Sequence, residues 1–242
     1  MTDTPRILAS TGASRGIGRG IALRAASEGW EVAVGYRSDK TAADAVVADI
    51  EALDRRAWAF PVDITDAASL DRFFAGAAQY GSLRGVVANA GAATAVGPLL
   101  EQDPAALARD VEVNLTGAVL TCRAALPLLE AGASIVLIGS AATQQGSPGT
   151  YVHYAAAKAG VGILAQGLAR ELGPARIRVA CVEPGTVRTE FHADPDRPDK
   201  VASAIPWGRP GEPDEVAGAV TWLLSDDAGY ATGAVLRVGG GF

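Results

Sequence analysis

Seven short apolar runs recur along this chain, separated for the most part by longer stretches with helical spacing, and that rhythm restricts the fold more than any other property of the sequence. The runs lie at 6–11, 31–36, 56–61, 84–89, 134–139, 176–182 and 234–238. Helical periodicity fills 40–53, 67–80, 104–130, 151–172 and 213–225, and a further helix opens near Ile17. Alternation of this kind implies right-handed crossovers and a parallel sheet whose two faces are both covered by helices. An α/β chain with a seven-stranded parallel sheet is therefore expected. Its 242 residues suit one domain, and no linker divides them. In such sheets ligands bind beyond the carboxyl ends of the strands, where the winding reverses direction.

The first strand end carries TGASRGIG, residues 11–18. Gly12, Gly16 and Gly18 remove Cβ atoms where the turn is tight and a pyrophosphate must approach the backbone, and the following helix offers its amide N–H groups and positive dipole. A strand, this loop and a helix in sequence point to a dinucleotide and a single-domain Rossmann fold. The second strand ends in VAVGYR, where an acidic side chain would be needed to hold a ribose 2′-hydroxyl. Tyr36 and Arg37 occupy that point, with Arg15 in the glycine loop as a second cation. Two guanidinium groups without a carboxylate suit a 2′-phosphate, so NADP(H) is favoured over NAD(H).

Composition removes several alternatives. The net charge is -6, and no basic stripe exists that would neutralise a nucleic-acid backbone. There is no apolar stretch of membrane-span length and no signal-peptide pattern, so a cytoplasmic location is expected. Cys122 and Cys181 sit in apolar patterns without metal-ligand company, and no metal site is expected.

Tyr154 and Lys158 lie one helical turn apart in YAAAK and share a face. An ammonium close to a phenol favours the ionised form, which would bring the proton of Tyr154 into use near neutral pH. His153 projects from a different face and reads as a bystander.

These motifs together resemble the short-chain dehydrogenases/reductases over nearly the whole chain. TGASRGIG is similar to that family's cofactor loop, VDIT (62–65) to its adenine-contacting strand end, ANAG (88–91) to its fourth-strand signature and PGTVRT (184–189) to its nicotinamide-side loop. The resemblance implies a tetrad of Asn114, Ser140, Tyr154 and Lys158. Tyr154 would protonate the substrate carbonyl, Ser140 would donate to the same oxygen, Lys158 would lower the Tyr154 pKa and bind the nicotinamide ribose, and Asn114 would hold a water behind Lys158. It also implies cofactor contacts from Ser14, Ile17, Asp63, Ile64, Asn89, Ala90, Gly91, Pro184, Gly185, Val187 and Thr189. The C-terminal stretch from Gly208 is most similar to the 3-oxoacyl-carrier-protein reductase branch. That similarity implies a small-molecule ketone, possibly a 3-oxoacyl thioester, as substrate. Glu183 before Pro184 departs from the family pattern and is expected near the cofactor or the base of its loop.

Two other readings use the same residues. GASRG (12–16) also matches the nucleophile elbow of serine hydrolases, with Ser14 as nucleophile and His153 or His192 as base. The fold without the chemistry would be an NADP(H)-sensing regulator.

Residues 190–212, rich in proline and charge, suit a short lid over the crevice. Ile205, Pro206 and Trp207 are expected to form its apolar wall, with Thr94, Val96, Gln144, Gln145 and Tyr151 near the carbonyl site. The helix at 151–172 is apolar or small almost all round, and Ala155, Ala159, Gly162 and Gln166 would admit a second helix. A dimer through it is expected, and the family resemblance implies a 222 homotetramer.

Overall fold

The computed structural model describes residues 4–191 and 194–241. Its strands are β1 (Arg6–Ser10), β2 (Glu31–Tyr36), β3 (Ala57–Pro61), β4 (Ser82–Ala88), β5 (Ser134–Ile138), β6 (Arg178–Pro184) and β7 (Val235–Val238). They form one parallel sheet in the order β3-β2-β1-β4-β5-β6-β7. From β1 the chain winds outward to β3, then returns to β4 and winds the other way, so direction reverses between β1 and β4. The crevice rule places the ligand there.

Period-two alternation divides the core into two layers. Leu8, Val136 and Ile138 face one side of the sheet, packed with Ile21 and Ala25 of α1 (Gly16–Ser27), Val46 and Ile50 of α2 (Lys40–Glu51) and Val220 of α9 (Pro213–Leu224). Ile7, Ala9, Ile135 and Leu137 face the other, against Leu70 and Phe73 of α3 (Ala67–Ala78), Cys122 of α5 (Gly117–Ala125) and Val161 and Ala165 of α7 (Val152–Leu172). Most of these side chains are wholly removed from water, each worth about 1.5–3 kcal/mol relative to exposure.

Aspartates cap three helices. Asp39 accepts from the Ala42 amide at 2.9 Å, Asp66 from Ala68 at 3.0 Å and Asp103 from Ala106 at 3.0 Å, the last opening α4 (Pro104–Val111). Caps of this kind contribute about 1 kcal/mol each. Helix α1 differs: Arg15 at its N-cap makes no side-chain cap, and no acidic residue stands in its first turn. The N–H groups at that end remain free to meet an anion.

The helix expected over 104–130 is interrupted. Between α4 and α5 lies a π turn, Glu112–Thr116, and beyond α5 a 3₁₀ turn, Leu126–Leu128, carries Pro127. In α7, Ala155 and Gly162 turn out to be buried, while Ala156, Ala159, Ile163 and Gly167 form the exposed stripe, with Ile163 66% exposed. The contact face expected from the sequence is thus displaced around the helix. No helix among the described residues is long and apolar enough to cross a membrane.

Candidate active site

At the reversal point the two strand ends are fastened together. The Asn89 amide donates to the carbonyls of Thr11 at 3.1 Å and Gly12 at 2.9 Å, and the Asn89 and Ala90 amides donate to the Thr11 hydroxyl at 3.2 Å. Gly12 has φ +64° and Gly16 φ +53°, conformations that glycine adopts without penalty. A Cβ on Gly12 would stand 2.9 Å from Ala90 Cα, and one on Gly18 would strike the Gly12 carbonyl oxygen and lie 2.6 Å from Asn89 Nδ2. The loop therefore leaves an open, backbone-lined surface in front of the uncapped end of α1.

A cavity of about 600 Å³ starts at this surface and crosses the carboxyl ends of the strands. Gly12, Ser14, Arg15, Gly16, Ile17 and Gly18 line one end, with Arg37, Asp63 and Ile64 beside them. Asn89, Ala90, Gly91, Ser140, Tyr154, Lys158, Pro184, Gly185, Val187 and Thr189 line the remainder. Two site residues named from the sequence are absent from its wall. Tyr36 ends β2 with its side chain buried in the core, and it is the next residue, Arg37, that faces the cavity. Asn114, within the π turn, is buried behind the wall, where its Nδ2 donates to the carbonyls of Ala92 and, at 2.8 Å, Asp110, and its Oδ1 accepts from the Ala92 amide at 3.3 Å. The Asn114 amide is thus spent on the loop after β4 at Ala92 and on the α4 backbone at Asp110. Asn114 also sets the space at Gly91, whose Cβ, were there one, would stand 2.7 Å from Asn114 Oδ1.

The residues present fit a dinucleotide. An uncapped helix end, a glycine surface and two arginines suit phosphates, and Asp63 supplies a fixed acceptor. The hydroxyl and amide of Thr65 hydrogen-bond Asp63 at 2.7 and 2.9 Å and hold its carboxyl below the usual range. Arg37 is mostly exposed and only loosely paired, 3.9 Å from Asp63.

Tyr154 and Lys158 lie in the first turns of α7, one turn apart and both buried. Burial pushes the Tyr154 phenol above its ordinary pKa, and hydrogen bonding with Ser140 opposes that shift. Lys158 donates from Nζ to the Ile138 carbonyl at 2.8 Å and stands 5.8 Å from the centre of the Tyr154 ring. The hydrogen bond with Ser140 thus favours ionisation of Tyr154, and Lys158 stands on the same wall with its ammonium held by the Ile138 carbonyl. Burial lowers Lys158 to about 8, so it is still mostly charged at neutrality. Because that value lies below the unfolded one, burial of this ammonium costs stability at low pH, and the cost fades as pH rises through and beyond about 8.

A buried cluster next to Tyr154 has no local signal in the sequence. Asp110 accepts from the Thr94 hydroxyl at 2.7 Å, from the Thr94 and Ala95 amides, and pairs with His153 Nε2 at 3.0 Å. Burial alone would raise the Asp110 carboxyl, but the hydrogen bonds from His153, Thr94 and Ala95 outweigh it and hold it low. His153 pins α7 to α4 and, through Asp110, to the loop after β4. It does not line the cavity that Ser14 lines, which leaves Ser14 without it as a base, and His192 lies outside the described residues.

Glu183 is also buried, and its carboxylate lies behind the cavity rather than in it. It accepts from the Thr143 hydroxyl at 2.9 Å and meets Arg237 at 3.4 Å, tying α6 (Ala142–Gln145), just after Ser140, to β7. Of the residues expected near the carbonyl, Gln145 and Tyr151 line the cavity, whereas Thr94, Val96 and Gln144 do not. Nor do Ile205, Pro206 and Trp207, which pack against Gly240 and Gly241. From the same stretch, Phe191, Arg197 and Val201 line the cavity instead.

Comparison with known proteins agrees with this geometry. Residues 12–242 match the family described as enoyl-(acyl carrier protein) reductase. An L-rhamnose 1-dehydrogenase (NAD(P)+) of Sphingomonas is 38% identical over 240 residues, covering 96% of this chain and 93% of that protein. A 3-oxoacyl-(acyl-carrier-protein) reductase of Staphylococcus aureus is 35% identical over 237 residues, covering 96% and 95%. The crystal structure of a short chain dehydrogenase from Burkholderia cenocepacia in complex with NADP superposes with a TM-score of 0.92 at 35% identity, covering 98% of this chain and 97% of that one.

Proposed function

The chain belongs to the short-chain dehydrogenase/reductase family of oxidoreductases, and from that premise we propose that it reduces a ketone to an alcohol with NADPH, Tyr154 serving as proton donor. The observation that carries this reading is the convergence of Ser140, Tyr154 and Lys158 on one wall of a cavity whose far end is the glycine surface. When bound, the nicotinamide supplies the hydride. The protein's part is to place the carbonyl oxygen between two hydroxyls, one of which gives up its proton while the other stabilises developing charge. Burial keeps the Tyr154 phenol protonated until then, the form that reduction requires. Lys158, cationic near neutrality, favours the phenolate left behind. A regulator that only bound the nucleotide would have no use for this arrangement.

The coenzyme preference rests on Arg15 and Arg37 at the cavity's edge, with Asp39 occupied as the cap of α2. Among the relatives, the rhamnose enzyme is named for both coenzymes and the Burkholderia protein was solved with NADP. A panel of ketones, including a 3-oxoacyl thioester, followed by loss of NADPH or NADH absorbance, tests both points. The expected result is turnover with kcat/KM at least about tenfold higher for NADPH, the advantage shrinking in Arg37→Ala. Equal use of the two coenzymes would remove the preference, and no turnover of any ketone would remove the reading.

A homo-oligomer is part of the same proposal, with the stripe of Ala159, Ile163 and Gly167 on α7 and the half-exposed Val119 of α5 as its contact face. Sedimentation at micromolar protein is expected to give a tetramer, and Ile163→Glu to give smaller species. A wild-type monomer would exclude it.

A further inference from the structure

The lid carries several cations, and one of them is held differently from the rest. Arg188, just before the lid, pairs with Asp199 and Glu212, and within it Lys200 pairs with Asp194 and Arg209 with Glu215. Arg197, half-buried on α8 (Arg197–Lys200), lines the cavity with no carboxylate within 4.0 Å among the described residues, although Asp194, paired with Lys200, lies within its electrostatic reach. Its Nη2 donates to the Tyr151 hydroxyl at 3.1 Å, and its guanidinium carbon lies 5.6 Å from the centre of the Tyr151 ring. Tyr151 meets Tyr154 edge to face with 5.1 Å between ring centres. A cation is thus held one aromatic ring beyond the proton donor. Tyr151, Phe191 and Val201 line the same cavity, with Phe191 5.8 Å from the Tyr154 ring. Glu190, the lid carboxylate that lines the cavity, points elsewhere: its Oε2 lies 3.8 Å from the place of a Cβ on Gly16.

A half-buried guanidinium with most of its donors uncommitted beside apolar walls favours an anionic partner, and its planar fork matches a carboxylate through two parallel hydrogen bonds. We infer that Arg197, aligned by Tyr151, is a specificity-determining residue that binds a substrate carboxylate, so that the preferred ketones are oxo acids whose carbonyl reaches Tyr154 and Ser140 while the acid group reaches Arg197. The inference rests on the ketone-reductase reading above and adds no chemical step to it. A neutral thioester or ester offers the same guanidinium an acceptor without charge and is held less well.

Levulinate and its methyl ester share the ketone and the carbon chain and differ in the charge, which makes them the matched pair for a test. The wild-type enzyme is expected to show kcat/KM at least about tenfold higher for levulinate, carried by KM. Arg197→Gln is expected to abolish most of that ratio and Arg197→Lys to keep part of it. Equal kcat/KM for acid and ester in the wild type, or a ratio unchanged in Arg197→Gln, overturns the inference. Calorimetric titration of valerate, which has no ketone, into the protein with NADP⁺ gives a second readout. Binding should weaken at least about tenfold in Arg197→Gln, and binding that does not weaken overturns the inference. Arg197-dependent valerate binding without turnover of either ketone would preserve the carboxylate site and remove the reductase reading. Turnover of both ketones at equal kcat/KM would do the reverse.

Discussion

Tyr154→Phe is expected to lower kcat for the proposed ketone reduction by about 10³-fold and to leave the affinity for NADPH within about threefold. The substitution deletes one oxygen. The remaining ring still packs edge to face on Tyr151 and against Phe191, so neither α7 nor the cavity wall has cause to move. What would disappear is the proposed proton donor, and positioned general acids contribute about 10²–10⁴ in rate. Ser140 keeps its hydroxyl, fixed as an acceptor from the Ala142 amide at 3.2 Å, and continues to polarise the carbonyl, which accounts for a residual rate. Steady-state kinetics beside a fluorescence titration of NADPH separates the two effects. A variant with wild-type kcat would end the assignment of Tyr154, and equal losses of rate and NADPH affinity would mean that the phenol serves binding instead.

Gly18→Ala has the largest expected effect on stability, about 3 kcal/mol, with NADPH binding lost as well. The added methyl would overlap the Gly12 carbonyl and crowd Asn89 Nδ2, two groups already joined by a hydrogen bond. Neither can retreat without opening the junction between β1 and β4, and overpacking of a fixed backbone costs about 1–3 kcal/mol or more. For a chain of this size that corresponds to a fall in Tm of roughly 6–12 °C. Gly218→Ala is the informative control. Its Cβ would meet nothing within 4 Å, and inside α9 an alanine is the better helix former by about 1 kcal/mol, so Tm should rise slightly. Scanning calorimetry on the three proteins decides the matter; a Gly18→Ala protein with wild-type Tm and NADPH affinity would show that the cradle tolerates a side chain.

The sheet, its helices and most of the cavity wall were legible because period and glycine placement are local signals. Each strand lies within a few residues of an apolar run, and Gly12, Gly18, Asn89, Tyr154 and Lys158 fall where the strand ends require. The misreadings each have a physical origin. Tyr36 was assigned to the cavity, but it is the last residue of β2, and alternation directs its side chain into the core while Arg37 points out. The π turn at Glu112–Thr116 inserts itself into a helical period without changing the apolar spacing on either side, so a single helix was expected. Asp110 and His153 meet across 43 residues of chain, and nothing near either residue announces the other. Ile205 and Trp207 have the composition of a substrate wall, yet they pack on the C-terminal glycines, a tertiary choice that hydrophobicity cannot foretell.

The Asn89 clamp has a bearing on how the protein comes into being. Its hydrogen bonds to Thr11 and Gly12 span 78 and 77 positions, so the anion cradle is not a property of the glycine loop by itself. During synthesis every cradle glycine precedes the side chain that fastens the cradle, and a fragment truncated ahead of Asn89 is expected to lack the clamp.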